Sequence, residues 1–148
     1  MRARGAPRHI LVATDGSALS RRAVRLAARL AKVCGAKLTG LHVVAPYFEP
    51  ARGAALAALP GYRRAIARAA EAGLRDFARI ARAAGVRAEA RAVTGGEPWK
   101  DILRAARARR CDLIVMASHG RRGLAGVLLG SETQKVLVHS KLPVLVCR

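Results

Sequence analysis

LIVMASHGRRGLAGVLLGS, residues 113–131, is the stretch whose reading decides the fold. It opens as an unbroken apolar run, the mark of a buried strand, and gives way to a loop carrying Gly120, Gly123, Gly126 and Gly130. Arg121, Arg122 and His119 sit among these glycines. The next residues, Ser131-Glu-Thr-Gln134, have the form of a capping box, so Ser131 is expected to cap a helix that follows through about Ser140. A glycine-rich loop between a buried strand and a helix N-terminus suits a phosphate, because bare backbone N–H groups can approach an anion there.

Working outward, strands and helices alternate through the whole sequence. HILVA at 9–13 is a short apolar run between Pro7 and the turn Thr14-Asp15-Gly16-Ser17. Ser17 or Ser20 can cap a helix that runs to Cys34, with Arg21, Arg25, Arg29 and Lys32 on one face and Ala23, Ala27, Leu30 and Ala31 on another. Gly35 ends it. KLTGLHVV at 37–44 is the second strand, and Pro- and Gly-punctuated residues 46–61 form an excursion whose role the sequence does not give. Residues 62–84 return to helical period, with Ile66, Ala70, Gly73, Phe77 and Ile80 in one stripe. VRAEARAV at 86–93 alternates apolar and charged residues, as an edge strand with one wet face would. Pro98 then opens a helix with Trp99, Ile102, Leu103 and Ala106 inward, residues 111–117 make a central fourth strand, and VLVC at 144–147 a fifth. Such alternation predicts an α/β fold in one domain over residues 1–148, an open five-stranded parallel sheet with helices on both faces.

The 148 residues suffice for one real core, in which aromatics are only 3% and aliphatic packing must dominate. Net charge is +19, from 28 Lys and Arg against 9 Asp and Glu. That field attracts nucleotides, nucleic acid and anionic membranes alike. Basic clusters go no further than pairs such as Arg21-Arg22 and Arg63-Arg64, so the arginines read first as decoration of solvent-facing helix surfaces. Cys34, Cys111 and Cys147 have neither C-x-x-C nor zinc spacing, and each reads as a small buried residue in a reducing compartment. No apolar signal-peptide core or membrane-length run occurs, so the expected location is cytoplasmic.

In an open α/β sheet, ligands lie beyond the carboxyl ends of the strands, where strand order reverses. Asp15 after the first strand and the glycine loop after the fourth both fall at such ends. If those strands are neighbours the two loops share a crevice, with Asp15 on ribose hydroxyls and the glycines on phosphates; otherwise Asp15 only shapes its turn. His119 could approach such a ligand but has no partner at metal spacing. Strand residue His42 reads as packed core and His139 as helix surface.

ILVATDGS at 10–17, LHVV at 41–44 and VMASHGRRGLAGVLLGS followed by KLPVLV together resemble the universal stress protein family over essentially the full length. Nucleotide-binding members of that family carry G-x2-G-x9-G-[S/T]. Here Ala117, Gly120, Gly130 and Ser131 occupy its four positions, three of them matching. The resemblance implies strand order 3-2-1-4-5, a homodimer built partly through the last strand, and ATP as ligand. It implies that Asp15 contacts the ribose or adenine region, that the Val43 backbone recognises the adenine edge, and that Gly120, Gly130 and Ser131 bind phosphates.

Ala117 departs from the motif. Because it continues an apolar strand, extended geometry is expected there, costing only a methyl of clearance. Arg121 and Arg122 either grip phosphates or are solvated. With Asp15 and Glu132 as the carboxylates near the loop and no Walker lysine, efficient hydrolysis is not expected, while slow turnover stays open. Mg²⁺ could arrive with ATP, held mainly by phosphates and water. The reading is therefore an ATP-binding stress-response regulator. The alternatives are a dimeric stress protein without nucleotide and a basic polyanion or nucleic-acid binder, the latter lacking a basic-aromatic recognition pattern.

Overall fold

A computed structural model of the chain describes residues 5–44, 59–120 and 129–148. Arg121, Arg122, Gly123, Gly126 and all but the end of the 46–61 excursion lie outside the described residues. The elements are β1 (His9–Ala13), α1 (Ala18–Cys34), β2 (Lys37–Val44), α2 (Pro60–Ala83), β3 (Ala88–Thr94), α3 (Pro98–Ala108), β4 (Leu113–Ala117), α4 (Ser131–His139) and β5 (Val144–Cys147). All five strands pair in parallel, in the order β3-β2-β1-β4-β5. This is the α/β architecture and strand order expected above. No described helix is long and apolar enough to cross a membrane.

Strand β1 is central, and Ile10, Leu11 and Val12 are fully buried because helices cover both faces. Alternate residues serve two cores. Ile10, Val12, Leu38 and Val115 meet Ala23 and Ala27 of α1 and Phe77 of α2 on one face. Leu11, Leu41, Ile114 and Met116 meet Ile102 and Ala106 of α3 and Val136 of α4 on the other. Alanine on α1 lets that helix lie close to the sheet. Ser17, rather than Ser20, is its N-cap and accepts from the Ser20 N–H, and Gly35 closes it at φ 63°. Where α2 crosses β2, Phe77 lies on Gly40; a Cβ there would sit 2.5 Å from the ring.

Three expectations need correction. Strand β3 is an edge, but its alanines, Ala88, Ala90 and Ala92, are exposed along with Arg91, while Glu89 is half-buried. The cause is ion pairing: Glu89 meets Arg109, Lys37 and Arg91 and accepts from Thr39, which draws this carboxylate inward. Helix α2 starts at Pro60, two residues before the periodic stripe. Of the cysteines only Cys111 is buried; Cys34 and Cys147 are half-buried, and all three are free. Burial pushes the Cys111 thiol up to about 11, so it stays protonated at neutral pH.

His9 belongs to the same polar cluster. Its Nδ1 lies 3.0 Å from the Arg109 carbonyl oxygen and its Nε2 lies 2.8 Å from Thr39 Oγ1. Burial first, then the Lys37 charge, lowers its pKa below the ordinary 6.5. The folded chain thus holds fewer protons than the unfolded chain just below that value, so stability rises with pH through this window and is lost on acidification. Denaturant melts from pH 5 to 7 should show this slope in the wild type and a flatter one in His9→Gln. Equal slopes would mean His9 does not titrate in that range.

Candidate functional site

Pairing of β1 with β4 makes the expected neighbourhood real: the β1–α1 turn and the segment leaving β4 stand side by side at the carboxyl end of the sheet. From β1 the chain crosses to β2 on one side and β4 lies on the other, so this is where strand order reverses. A cleft of ≈ 620 Å³ opens there. Asp15, Val43, Ala117, His119, Gly120, Gly130 and Ser131 all line it.

Local chemistry explains how each is held. Asp15 Oδ1 accepts from the Ser17 N–H at 2.9 Å, an Asx turn that shapes the entry to α1. Its other oxygen faces Gly120, where a Cβ would come within 2.6 Å of Oδ2. A side chain at position 120 would have to displace this carboxylate. Ala117 ends β4, buried, in strand geometry; Arg110 is the non-glycine residue with positive φ among the described residues. The extended geometry expected for Ala117 is what is found. Its carbonyl accepts from Thr133 Oγ1 at 2.9 Å, and the Ser118 N–H donates to the Cys147 carbonyl at 2.8 Å. Helix α4 and strand β5 thus pin the exit of β4 in place.

The capping box does not form. Gly130 is the N-cap of α4, with φ −68° and ψ 153°, and Ser131 is already the first helical residue. Starting one residue early removes Ser131 from the extended conformation that a capping side chain needs. Gln134 instead donates through Nε2 to the Leu129 carbonyl at 3.2 Å. With no side-chain cap, the first-turn N–H groups of α4 keep their donor capacity and partial positive charge at the cleft. Gly130 also approaches the β4 exit closely: its N–H donates to the Ser118 carbonyl at 2.6 Å, and a Cβ would sit 3.2 Å from His119 Cα.

Glu132 is committed elsewhere. One carboxylate oxygen accepts from the Trp99 N–H at 2.8 Å, in the first turn of α3, and the other pairs with Lys135 at 3.2 Å. It supplies the cap that Glu97, the N-cap of α3, does not. Exposed His139 stacks on Trp99, with ring centroids 4.6 Å apart. Among the described residues, no three His, Cys, Asp or Glu side chains gather as a metal site.

Thr14, from the same turn as Asp15, lines the cleft too, and the cleft also recruits residues that the sequence did not single out as lining: His42, Tyr62, Ile66, Ile102 and Thr133. Tyr62 and Ile66 share one face of the first turns of α2, four residues apart, and wall the side away from α4. His42 is buried as expected, yet on this wall.

A match to the model described as the universal stress protein family extends over residues 7–148. The chain belongs to the universal stress protein family. A universal stress protein of Thermus aquaticus, encoded in the QAH/OAS sulfhydrylase 3′ region, is 34% identical over 149 residues, covering 94% of this chain and 97% of that one. Among solved structures, a universal stress protein in complex with cAMP is 31% identical with TM-score 0.71, covering 96% and 97% of the two chains. The universal stress protein UspA from Lactobacillus plantarum is 28% identical with TM-score 0.77, covering 95% and 97%.

Proposed function

We propose that the cleft binds an adenine nucleotide, with ATP as its ligand, and that the protein acts as a nucleotide-responsive regulator in stress. The observation that carries this reading is the N-terminus of α4, which has no side-chain cap and enters the cleft through a glycine that a Cβ would crowd. Gly120, Gly130 and Ser131 hold the phosphates, Asp15 the ribose side, and the Val43 backbone the adenine edge. His119 and Ala117 border the sugar and first phosphate. Mg²⁺ comes with the phosphates. Glu132 is spent on Trp99 and Lys135, which favours binding over efficient hydrolysis.

Mass spectrometry of the small-molecule extract from purified protein tests the reading. ATP is expected; a nucleotide-free extract together with no uptake of added ATP would sink it. A second reading, a cyclic mononucleotide, is favoured by the solved relative in complex with cAMP. Competition between ATP and cAMP separates the two, because the triphosphate gains contacts along α4 that the cyclic ester lacks.

The same proposal covers the remaining expectations: one domain, a cytoplasmic location and a homodimer through β5. That strand lies at the edge of the sheet, and beside it α4 exposes Leu137 and, at 76%, Val138. Sedimentation should give twice the 15.7 kDa chain mass.

A further inference from the structure

The positive charge is not spread evenly over the two helical layers. Helices α1 and α2, which cover one face of the sheet, carry eleven Lys and Arg against two carboxylates, Glu71 and Asp76. Helices α3 and α4, on the opposite face, carry four against two, and three of those four are paired: Lys100 with Glu97, Arg104 with Asp101 and Lys135 with Glu132.

Within α1, the exposed positions from 22 to 32 are Arg22, Arg25, Arg29 and Lys32, and the helix contains no acid. Their spacing of three, four and three places them in one row about 15 Å long at 1.5 Å rise per residue. No carboxylate among the described residues lies within ion-pairing distance of any of the four. A second row runs along α2, where Arg64, Arg68 and Arg82 are likewise exposed and unpaired among the described residues. The rows lie side by side: Arg21 bridges to Asp76 at 3.7 Å, and the Lys32 ammonium reaches Gly85 just past the end of α2.

Holding so many like charges on two adjacent helices costs self-repulsion that an anionic partner removes. The face carries no amide side chain to read adenine and no exposed aromatic ring to stack on a base, and its arginines can hold phosphates as readily as guanine. Neither helix contains Asn or Gln, Phe77 is buried, and Tyr62 lines the cleft. Aromatic stacking, on which binding of single strands relies, is therefore missing, whereas two rows of point charges suit a stiff phosphate lattice. We infer that the α1–α2 face binds the phosphate backbone of duplex nucleic acid, without sequence preference and apart from the nucleotide cleft.

Fluorescence anisotropy with a labelled duplex of about 20 base pairs tests this. With the four α1 cations engaged, affinity should fall roughly 100-fold between about 50 and 200 mM salt, following a slope of about −0.9 per phosphate contact. The triple variant Arg25→Ala, Arg29→Ala, Lys32→Ala should bind at least about tenfold more weakly at the lower salt, with a slope shallower by about 2.7. The control Lys100→Ala, Arg107→Ala, Lys141→Ala removes the same charge from outside this face and should change neither quantity. All six side chains are exposed, so matching thermal melts are expected and establish that both proteins fold. Saturating ATP should leave duplex binding intact. Equal losses in the two triple variants, no binding at low salt, displacement by ATP, or tighter binding of inorganic polyphosphate than of duplex at equal charge would each overturn the assignment. None of these results depends on whether the cleft takes ATP.

Discussion

Replacing Gly130 with valine is expected to weaken ATP binding about 10- to 100-fold, the loss of one charge-assisted hydrogen bond at about 1.5–3 kcal/mol for a charged partner. The backbone angles of Gly130, φ −68° and ψ 153°, are open to any residue, so the effect is steric rather than conformational. A first side-chain carbon already meets His119 Cα at 3.2 Å; two more methyl groups must occupy cleft volume or push the β4 exit outward. Alanine should give an intermediate loss. Thermal melts should show the fold retained, because β4 is still fastened by the Thr133 and Ser118 hydrogen bonds. Unchanged affinity in the valine variant would mean that phosphates bind away from α4.

Phe77→Ala is expected to have the largest effect on stability, about 3–5 kcal/mol. Phe77 is the largest fully buried side chain among the described residues, and its ring covers Gly40 where α2 crosses β2. Alanine would leave a cavity with glycine as its floor, bordered by Val12 and Leu38 on the same face of the sheet. The opposite change, Gly40→Val, overpacks the same contact, because a Cβ at 2.5 Å from the ring forces the helix off the strand. Since α2 carries Tyr62 and Ile66 on the cleft wall, both variants should loosen the nucleotide site as well. Urea unfolding monitored by circular dichroism gives the stability change; a loss below about 1 kcal/mol would mean the site collapses to close the void.

The parts of the fold legible in the sequence are those governed by short-range rules. Buried runs at β1 and β4, glycine at the end of α1 and the alternation of strand with helix each follow from local patterning, and together they specify the sheet. The spacing from Ala117 through Gly120 to Gly130 brought the candidate phosphate side together for the same reason, since strand, loop and helix are consecutive. What the pattern could not carry was side-chain competition over long range. Glu89 turns inward because Arg109 and Lys37 arrive from other elements, a pairing no alternation records. Glu132 looked free for a metal but caps α3 through Trp99, 33 residues away in sequence. The capping box failed by one residue, the usual uncertainty of a helix boundary, and here that residue decides whether the α4 N–H groups are covered or open. Tyr62 and Ile66 gave no signal of their own, because a helical stripe that walls a cleft has the same period as one that fills a core.

Titration calorimetry of the purified, nucleotide-stripped protein with ATP tests the central claim most directly. One site per chain is predicted, saturating at or below millimolar ATP and surviving moderate salt, as a shaped pocket with directed hydrogen bonds should. Absence of heat at millimolar ATP, or binding that vanishes with modest salt and is unaffected by Gly130→Val, would contradict it.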